Sequence, residues 1–405
     1  MNRFEVVVIG GGPIGAVAAR CAAEAGASTL LIERRGDIRG GSLCTGLVSP
    51  RTLPALGITE LSVLRRIRGA EVHAPGGYRL NVRSEETKAV VLDRPLLEEE
   101  LHRRAGDAGV IVRLRCEAVD VRPGEVSARS ADGAETISAG IIVVAIGLSA
   151  GLVRGASLPS PPRLFRAAQA VLAIEPDDAD VVRVYLGRKV APLFFGWAVP
   201  AEHGRTRVGL AVSPDTDPNP FLDRLLDQRF PGIAVESCSL GRIPIGPVSP
   251  PLGDGLLFVG DAAGHVKPLS GGGLYTGAIG ARIAGRIAAS AAASGKTHRE
   301  DLGSYARACD RAIGGELRFG LAARDLLESL SDEGIDDAFA ALDQSDLLEF
   351  LAEAGDIDRL RRLPRELATR RALWKRLLPL LALLDHHLAA RGPEIRVAAP
   401  PNESL

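Results

Sequence analysis

The chain has 405 residues, 46% of them hydrophobic and 24% charged, which is an ordinary globular balance with room for more than one packed unit. Its formal net charge of −1 gives no electrostatic reason to expect nucleic acid as a partner. Five cysteines, odd in number and widely spaced, predict neither a disulfide framework nor a metal site. The start of the chain lacks the pattern of a signal peptide, so we expect a cytoplasmic protein.

The first element is predicted to be a strand over residues 4–9, followed by the glycine turn GGGPIG and an alanine-rich helix to about residue 25. Glycines in this pattern permit a tight turn, let the backbone approach a pyrophosphate and bring helix and strand close together. The helix N-terminus then offers free N–H groups to the phosphates. We therefore predict a dinucleotide contact through Gly10, Gly12, Pro13, Ile14 and Gly15.

A second apolar strand is predicted over residues 28–32, and it ends at Glu33. A carboxylate at that position is typical of hydrogen bonds to ribose hydroxyls. Arg34 and Arg35 follow and are predicted to flank the adenine or a phosphate. The alternative is a structural glycine turn without a ligand.

Farther along the chain, residues 90–115 predict a strand end, a helix over 96–105 and another strand, and residues 141–146 predict a buried strand. Four short strand-like runs come next, at 168–174, 181–186, 193–199 and 206–212, and turns separate them. Short runs separated by turns predict an antiparallel sheet, which would be inserted between the cofactor-binding segments.

A second glycine-rich segment, GDAAGHVKPLSGGG, begins at Gly260, after a short apolar run at residues 255–259. Asp261 is placed to bind a ribityl hydroxyl, and the loop leads into a small-residue helix predicted over 274–293. The N-terminus of that helix would face the N1 and O2 edge of a flavin, which carries negative charge when reduced. The alternative is a flexible loop. The predicted contacts are Gly260, Asp261, Pro268, Gly271, Gly272, Gly273 and Leu274.

Four segments together resemble the geranylgeranyl reductase family: GGGPIG, DRPLLEEEL at 93–101, FFGWAVP at 194–200 and GDAAGHVKPLSGGGLYTG at 260–277. Members are FAD-dependent enzymes of the p-hydroxybenzoate hydroxylase-like group that saturate prenyl double bonds. The similarity covers about residues 1–300. It implies that Arg94 reaches the FAD pyrophosphate, that residues 271–274 line the isoalloxazine, and that Trp197 and Pro200 lie on the substrate side.

The resemblance implies the fold class α/β plus antiparallel β, with a Rossmann-like FAD-binding domain, an inserted sheet domain and C-terminal helices. The helices are also indicated by apolar spacing at residues 317–330 and 347–351. The predicted division is an FAD-binding domain of 1–70, 90–160 and 250–300, a substrate-binding domain of 71–89 and 161–249, a helical region of 301–392 and a tail of 393–405.

Apolar side chains near the expected flavin predict a chamber for an apolar substrate. Phe195, Trp197 and Tyr275 are the candidate substrate contacts, with Phe194 beside them; the alternative is that the phenylalanines are sheet core. His265 and Lys267 are read as a proton donor or anion clamp, or else as loop contacts, the second being favoured for His265.

Cys44 is the candidate catalytic residue. By resemblance its loop passes close to the flavin, and its thiol either delivers a proton to the substrate or simply packs. A pairing of Cys44 with Cys309 also stays open.

One departure from the related hydroxylases concerns the electron donor. Ile146, in AIGLSAG, stands where they carry an aspartate associated with pyridine nucleotides. The resemblance therefore leaves NAD(P)H open as reductant, and an external electron donor is expected.

Residues 356–384 combine an arginine cluster with the apolar run 377–384, which is far short of the ~20 residues of a spanning helix. This pattern indicates a solvated surface helix or a peripheral membrane contact.

The expected reaction is reduction of C=C bonds in a prenyl chain, by hydride transfer from flavin N5 with coupled protonation. Two alternatives stay open: a flavin-dependent monooxygenase or halogenase, and a flavin electron carrier to a membrane quinone.

Overall fold

The computed structural model describes residues 2–39, 44–148, 161–343 and 345–370. Within these ranges the chain forms three β-sheets, followed by helices. The strands are β1 (Asn2–Ile9), β2 (Thr29–Glu33), β3 (Leu47–Val48), β4 (Val63–Ile67), β5 (Gly69–His73), β6 (Arg79–Arg83), β7 (Ala89–Leu92), β8 (Ile111–Leu114), β9 (Glu117–Arg122), β10 (Glu125–Ser130), β11 (Gly133–Val144), β12 (Arg163–Leu172), β13 (Val181–Tyr185), β14 (Gly196–Pro200), β15 (Thr206–Val212), β16 (Val235–Ile245), β17 (Leu252–Gly253) and β18 (Leu256–Phe258).

The α-helices lie between these strands and after them. They are α1 (Pro13–Glu24), α2 (Thr52–Leu56), α3 (Arg94–Asp107), α4 (Asn219–Arg229), α5 (Leu274–Ser294), α6 (Arg299–Cys309), α7 (Gly315–Ser329), α8 (Asp332–Leu342), α9 (Ser345–Ala354) and α10 (Arg362–Ala368). A single π-helical turn (Asp310–Gly314) joins α6 to α7.

The first sheet has the parallel core that the glycine-rich segments predict. Its strand order is β17-β18-β11-β1-β2-β8, and β18, β11, β1, β2 and β8 run parallel. Alternate residues of β1 enter different cores: Val6 and Val8 pack with the helices on one face, whereas Val7 and Ile9 pack under β9 and β10 on the other. Burial on both faces explains why these strands read as continuous apolar runs.

Close packing of α1 against α5 covers the helical face of this sheet. A Cβ atom added at Gly285 of α5 would lie 2.4 Å from the carbonyl oxygen of Ala18 in α1. Small residues therefore let the two helices approach each other and the sheet closely. This contact joins the N-terminal and C-terminal parts of the Rossmann-like unit.

The second sheet has the order β16-β12-β15-β14-β13-β5-β6 and contains all four predicted runs, as β12 to β15. The run predicted at 193–199 begins as a strand only at Gly196, because Leu193 takes a left-handed φ of 62°. The four runs pair with one another antiparallel, as predicted, and the parallel pair β13–β5 adds a strand from outside them. The edge strand β16 was not predicted, because its first residues are exposed and carry no apolar alternation.

A third, small sheet has the order β3-β7-β4 and sits beside α3. Helix α3 itself begins at Arg94, two residues before the predicted start. The Asp93 side chain accepts a hydrogen bond of 3.0 Å from the Leu96 backbone N–H, which caps the first turn. Arg94 is therefore held on a helix from its first residue.

Three of the features predicted from the C-terminal sequence lie outside the described residues. These are the apolar run 377–384, the end of the arginine cluster and the tail at 393–405. Of the helices in the described ranges, none is both long enough and apolar enough to cross a membrane.

Candidate functional site

The two glycine-rich turns lie at one edge of the parallel sheet. Strand pairing sets Ile9 opposite both Val144 and Ile32, and Val144 opposite Phe258. The residues that follow these strands, Gly10 after β1 and the segment from Gly260 after β18, leave the sheet at its carboxyl edge. Ligands of such sheets bind at this edge.

Ile14 connects the two turns directly. Its side chain lies 3.1 Å from the position that a Cβ atom would take at Gly260 and 2.9 Å from that position at Gly277. Side chains at either glycine would push α1 away from the second turn. Ile14, predicted as a cofactor contact, therefore packs between the halves of the site.

The first turn has the backbone geometry of an anion cradle. Gly10 has a φ of 102°, and a Cβ atom at Gly15 would lie 1.8 Å from the carbonyl oxygen of Gly10. At Gly12, in contrast, no described atom lies within 4 Å of the Cβ position. Among the described residues no side chain caps α1, and its first turn carries no acid. The free N–H groups of this helix therefore suit a phosphate group.

Glu33 is buried beside this turn at the end of β2. Its carboxylate accepts hydrogen bonds from the backbone N–H of Gly11 at 2.6 Å and of Arg35 at 2.9 Å, and from Arg35 Nε at 3.1 Å. The pKa of Glu33 lies below its ordinary value. Burial acts to raise this pKa, but the hydrogen bonds and the charge of Arg35 together outweigh burial. An ionised carboxylate has about four lone-pair directions, which leaves one for a ligand hydroxyl.

The two predicted arginines after Glu33 differ in their surroundings. Arg34 is exposed. Arg35 is half-buried, and it also reaches Glu98 at 3.5 Å.

Three side chains spaced four residues apart share one face of α3, and the last of them, His102, contacts the first turn. Arg94 donates to Glu98 at 2.8 Å, and the His102 Nε2 atom lies 2.6 Å from the carbonyl oxygen of Gly11 and donates to it. The buried Arg94 Nε has no hydrogen-bond partner within the described ranges. The pKa of Arg94 is raised. Burial acts to lower this pKa, but the neighbouring Cys44 and Glu98 outweigh burial. Glu98 and His102 were not predicted, although their helical spacing from Arg94 is visible in the sequence.

Asp261 lies next to the start of α5, where its Oδ1 atom is 3.0 Å from the Cβ position of Gly273. No group in the described part of the chain donates a hydrogen bond to its side chain. Burial raises the pKa of Asp261, and the charge of Arg94 acts in the opposite direction. Its carboxylate is free to accept a ligand hydroxyl.

The glycine loop, defined as residues 267–273, is closed by its own backbone. Lys267 N–H donates to the Gly272 carbonyl at 3.0 Å, and Gly271 N–H donates to the Lys267 carbonyl at 2.9 Å. Helix α5 follows, and within the described ranges it has no side-chain cap and no acid in its first turn. Its N-terminus is thus a second place for a partly negative ligand atom.

An aromatic cluster borders the glycine loop. The Phe194 ring stacks on Phe195 with centroids 4.7 Å apart, and Phe195 meets Trp197 edge-on at 6.1 Å. Phe194 Cζ lies 3.3 Å from the Cβ position of Gly271. Phe195 and Trp197 are half-buried, so the cluster presents an apolar surface beside the loop. Tyr275 is half-buried and packs against the core around α1 and α5.

Cys44 is half-buried, and its Sγ atom accepts a hydrogen bond of 3.4 Å from the Gly46 backbone N–H. All five cysteines lie in the described ranges and are free thiols. A Cys44–Cys309 disulfide is therefore wrong. Cys309 is buried beside Tyr305 in the core.

His265 and Lys267 turn out to be internal contacts of their loops. His265 is buried, and its Nδ1 atom lies 2.3 Å from the Cβ position of Gly280, so only a glycine of α5 accommodates the ring. Lys267 pairs with Asp358 at 2.6 Å. Lys267 is thus engaged by Asp358, whereas the buried His265 Nδ1 has no hydrogen-bond partner within the described ranges.

Comparison with known proteins identifies the family. Residues 5–149 match the FAD dependent oxidoreductase family model. The digeranylgeranylglycerophospholipid reductase 2 of Methanothermobacter thermautotrophicus is 34% identical over 85% of this chain and 93% of its own length. The chain belongs to the geranylgeranyl reductase family, and it is an FAD-dependent oxidoreductase.

Solved structures agree on the fold. A geranylgeranyl bacteriochlorophyll reductase-like protein of Thermoplasma acidophilum has a TM-score of 0.79 at 23% identity, covering 91% of this chain and 99% of its own. The p-nitrophenol 4-monooxygenase of Pseudomonas putida has a TM-score of 0.68 at 16% identity, covering 92% and 99%. At these identities the likeness concerns the fold, which the geranylgeranyl reductases share with monooxygenases.

The geometry of this geranylgeranyl reductase family member fits FAD. A dinucleotide needs an anion cradle, hydroxyl acceptors and a flat open segment, and the chain has uncapped N-termini at α1 and α5, the carboxylates of Glu33 and Asp261, and the orphaned Nε of Arg94. Among the described residues no group of His, Cys, Asp and Glu is suited to a metal ion.

The buried His265 predicts an acid sensitivity. Burial lowers its pKa from the ordinary 6.5 to about 4, so between these values the unfolded chain binds more protons than the folded one. Stability therefore falls as the pH drops through this window, and each pKa unit corresponds to about 1.4 kcal/mol. In His265→Leu this contribution is absent. Urea unfolding of both proteins at several pH values would measure the difference.

The matched control is His298→Leu, because the His298 side chain is 84% exposed and its replacement leaves the buried His265 in place. Parallel stability curves for wild type and His265→Leu would contradict the assignment of His265 as a buried neutral group.

Proposed function

We propose that this FAD-dependent oxidoreductase reduces C=C bonds of a geranylgeranyl-type prenyl chain. The observation that carries the proposal is the contact between the aromatic cluster and the glycine loop, with Phe194 Cζ 3.3 Å from the Cβ position of Gly271. An apolar surface at that place suits a substrate without polar groups along its length. Relatives named digeranylgeranylglycerophospholipid reductase support the same substrate class.

The cofactor is proposed to lie along the carboxyl edge of the parallel sheet. The first turn and Arg94 would hold its pyrophosphate, Glu33 its ribose, and Asp261 its ribityl chain. Arg34 and Arg35 would flank the adenine end. The remaining proposed contacts are Gly10, Gly12, Pro13, Ile14, Gly15, Gly260, Pro268, Gly271, Gly272, Gly273 and Leu274.

Bound FAD would supply the hydride, from its N5 atom, to one carbon of the double bond. The chain's own residues would hold the alkene and exclude water. Phe195 and Trp197 would provide the apolar wall, and Trp197 is itself fixed by a hydrogen bond of 3.2 Å from its Nε1 to Gln169. Tyr275, half-buried in the first turn of α5, is a further proposed substrate contact.

An isolated alkene resists hydride, so a proton must reach the other carbon at the same time. Cys44 is the proposed donor, because its half-buried thiol lies beside Arg94 at the site edge.

An external electron donor is proposed to reduce the enzyme, and NAD(P)H is one candidate for that role. Because the substrate would be a lipid, a cytoplasmic protein in peripheral contact with a membrane fits the proposal.

The deciding experiment is turnover of the reduced protein. Dithionite-reduced enzyme incubated with a digeranylgeranyl glycerophospholipid should yield products heavier by two hydrogens per reduced bond, as measured by mass spectrometry. A yellow protein that gives no mass gain with any prenyl substrate would overturn the proposal. Oxygen consumption in step with turnover would favour a monooxygenase or halogenase, and electron transfer to a quinone alone would favour a carrier.

Arg94→Met tests the proposed cofactor placement. Hydrogen bonds to charged groups contribute about 1.5–3 kcal/mol, so FAD affinity should fall about 10- to 100-fold. FAD titration by fluorescence would measure the loss. Arg20→Met is the matched control, because Arg20 is also buried but bonds the carbonyls of Leu56 and Gly57. Equal FAD affinity in Arg94→Met and wild type would contradict the placement.

Cys44→Ala tests the proton donor. Loss of a positioned acid should lower kcat about 10²- to 10⁴-fold while FAD binding stays unchanged. The exposed Cys238→Ala is the control and should turn over normally. If Cys44→Ala kept the wild-type kcat, the thiol would have only a packing role.

A further inference from the structure

The glycine loop is anchored by residues far away in the sequence. Lys267 Nζ lies 2.6 Å from Asp358 Oδ1 and donates a hydrogen bond of 3.2 Å to the Ile357 carbonyl. The Asp358 side chain is completely buried and that of Lys267 is 14% exposed. A buried ion pair therefore joins the loop to the turn between α9 and α10.

Asp358 is itself held from two other directions. Its second carboxylate oxygen accepts a hydrogen bond from Ser49 Oγ, and its backbone N–H donates to Asp356 at 2.9 Å. Arg51 Nε in turn donates to Asp356 at 2.9 Å. The segment around Asp358 thus links the glycine loop to the segment that follows Cys44.

Arg324 on α7 provides an independent anchor. Its fully buried guanidinium donates to the carbonyls of Pro268 and Leu269, the latter at 2.9 Å, and lies over the Phe194 ring, 4.1 Å from its centroid. Because Arg324 binds the loop backbone directly, the loop keeps an attachment when Lys267 or Asp358 is changed. The charge of the ion pair can therefore be altered without releasing the loop.

The Lys267 side chain runs alongside the middle glycine of the loop. Its Cε atom lies 3.2 Å from the Cβ position of Gly272. This places a buried cation, neutralised by Asp358, behind the backbone proposed to face the flavin. Interactions between charges are strong in such a poorly solvated region.

We propose that Lys267 and Asp358 are positioning residues that fix the glycine loop and set the reduction potential of the bound flavin. The inference rests on the proposed placement of FAD at this loop. The pair is neutral as a whole, so each residue limits the field that the other exerts on the reduced, negatively charged flavin. Changing one member should shift the potential in a direction given by the charge that remains.

The test is a double-mutant cycle read out as the two-electron midpoint potential, measured with reference dyes. Asp358→Asn leaves Lys267 without its counter-ion, so reduced flavin should be stabilised and the potential should rise. Lys267→Met leaves a buried carboxylate, so the potential should fall. A tenfold change in the relative affinity for reduced and oxidised flavin corresponds to about 30 mV.

Two further variants and a control keep the test decisive. The double variant Lys267→Met/Asp358→Asn restores neutrality and should return towards the wild-type potential, while Lys267→Arg keeps the charge and should rescue Lys267→Met. Glu353→Gln is the control, because it removes one charge of the exposed Arg370–Glu353 pair in the same region. If Lys267→Met fails to fold, the other two single variants still test the proposal. The midpoint potential should rise in Asp358→Asn and stay at the wild-type value in Glu353→Gln.

Failure of this inference differs from failure of the proposed function. If the wild-type protein binds FAD and both single variants have the wild-type midpoint potential, the proposed role of the ion pair is overturned. Wild-type protein that does not take up FAD would instead remove the cofactor placement on which the inference depends.

Discussion

The close approach of α1 and α5 on one face of the parallel sheet is the constraint on which the rest of the structure depends. Small residues at the contact, such as Ala18 facing Gly285, let the two helices share one face of the sheet. Their N-termini then emerge beside each other at the carboxyl edge. Ile14 fills the space between them and leaves Gly260 and Gly277 without room for side chains. Bulkier residues here would separate the two halves of the cofactor site.

The site presents mainly backbone polar groups and only a few charged side chains. Both helix N-termini leave their N–H groups without side-chain caps in the described ranges. Glu33 and His102 instead fix the backbone of Gly11, which keeps the first turn in the shape that a phosphate requires. Rigid donors of this kind need little rearrangement when a ligand binds.

Much of the fold and of the cofactor edge could be predicted from the sequence, because the signals are local. The turn at Gly10 lies between β1 and α1, Glu33 ends β2, and the glycine loop leads into α5. The run that became β14 was predicted too long, since the backbone conformation of Leu193 leaves no trace in apolar patterning.

The anchors of the glycine loop could not be predicted in the same way. Lys267 and Asp358 are 91 residues apart, and a single charged residue within each segment reads as an ordinary surface position. The role of Arg324 depends on its complete burial against the carbonyls of Pro268 and Leu269, which is a property of the tertiary fold alone.

The π-helical turn Asp310–Gly314 sets the rotational phase of α7 relative to α6. Each residue of an α-helix advances the direction of the side chains by about 100°. The wide turn absorbs one extra residue, so that α7 presents Arg324 to the loop backbone while α6 keeps Tyr305 and Cys309 in the core. Length variation within those five positions would swing the guanidinium to another side of the helix, even though the composition of α7 would be unchanged.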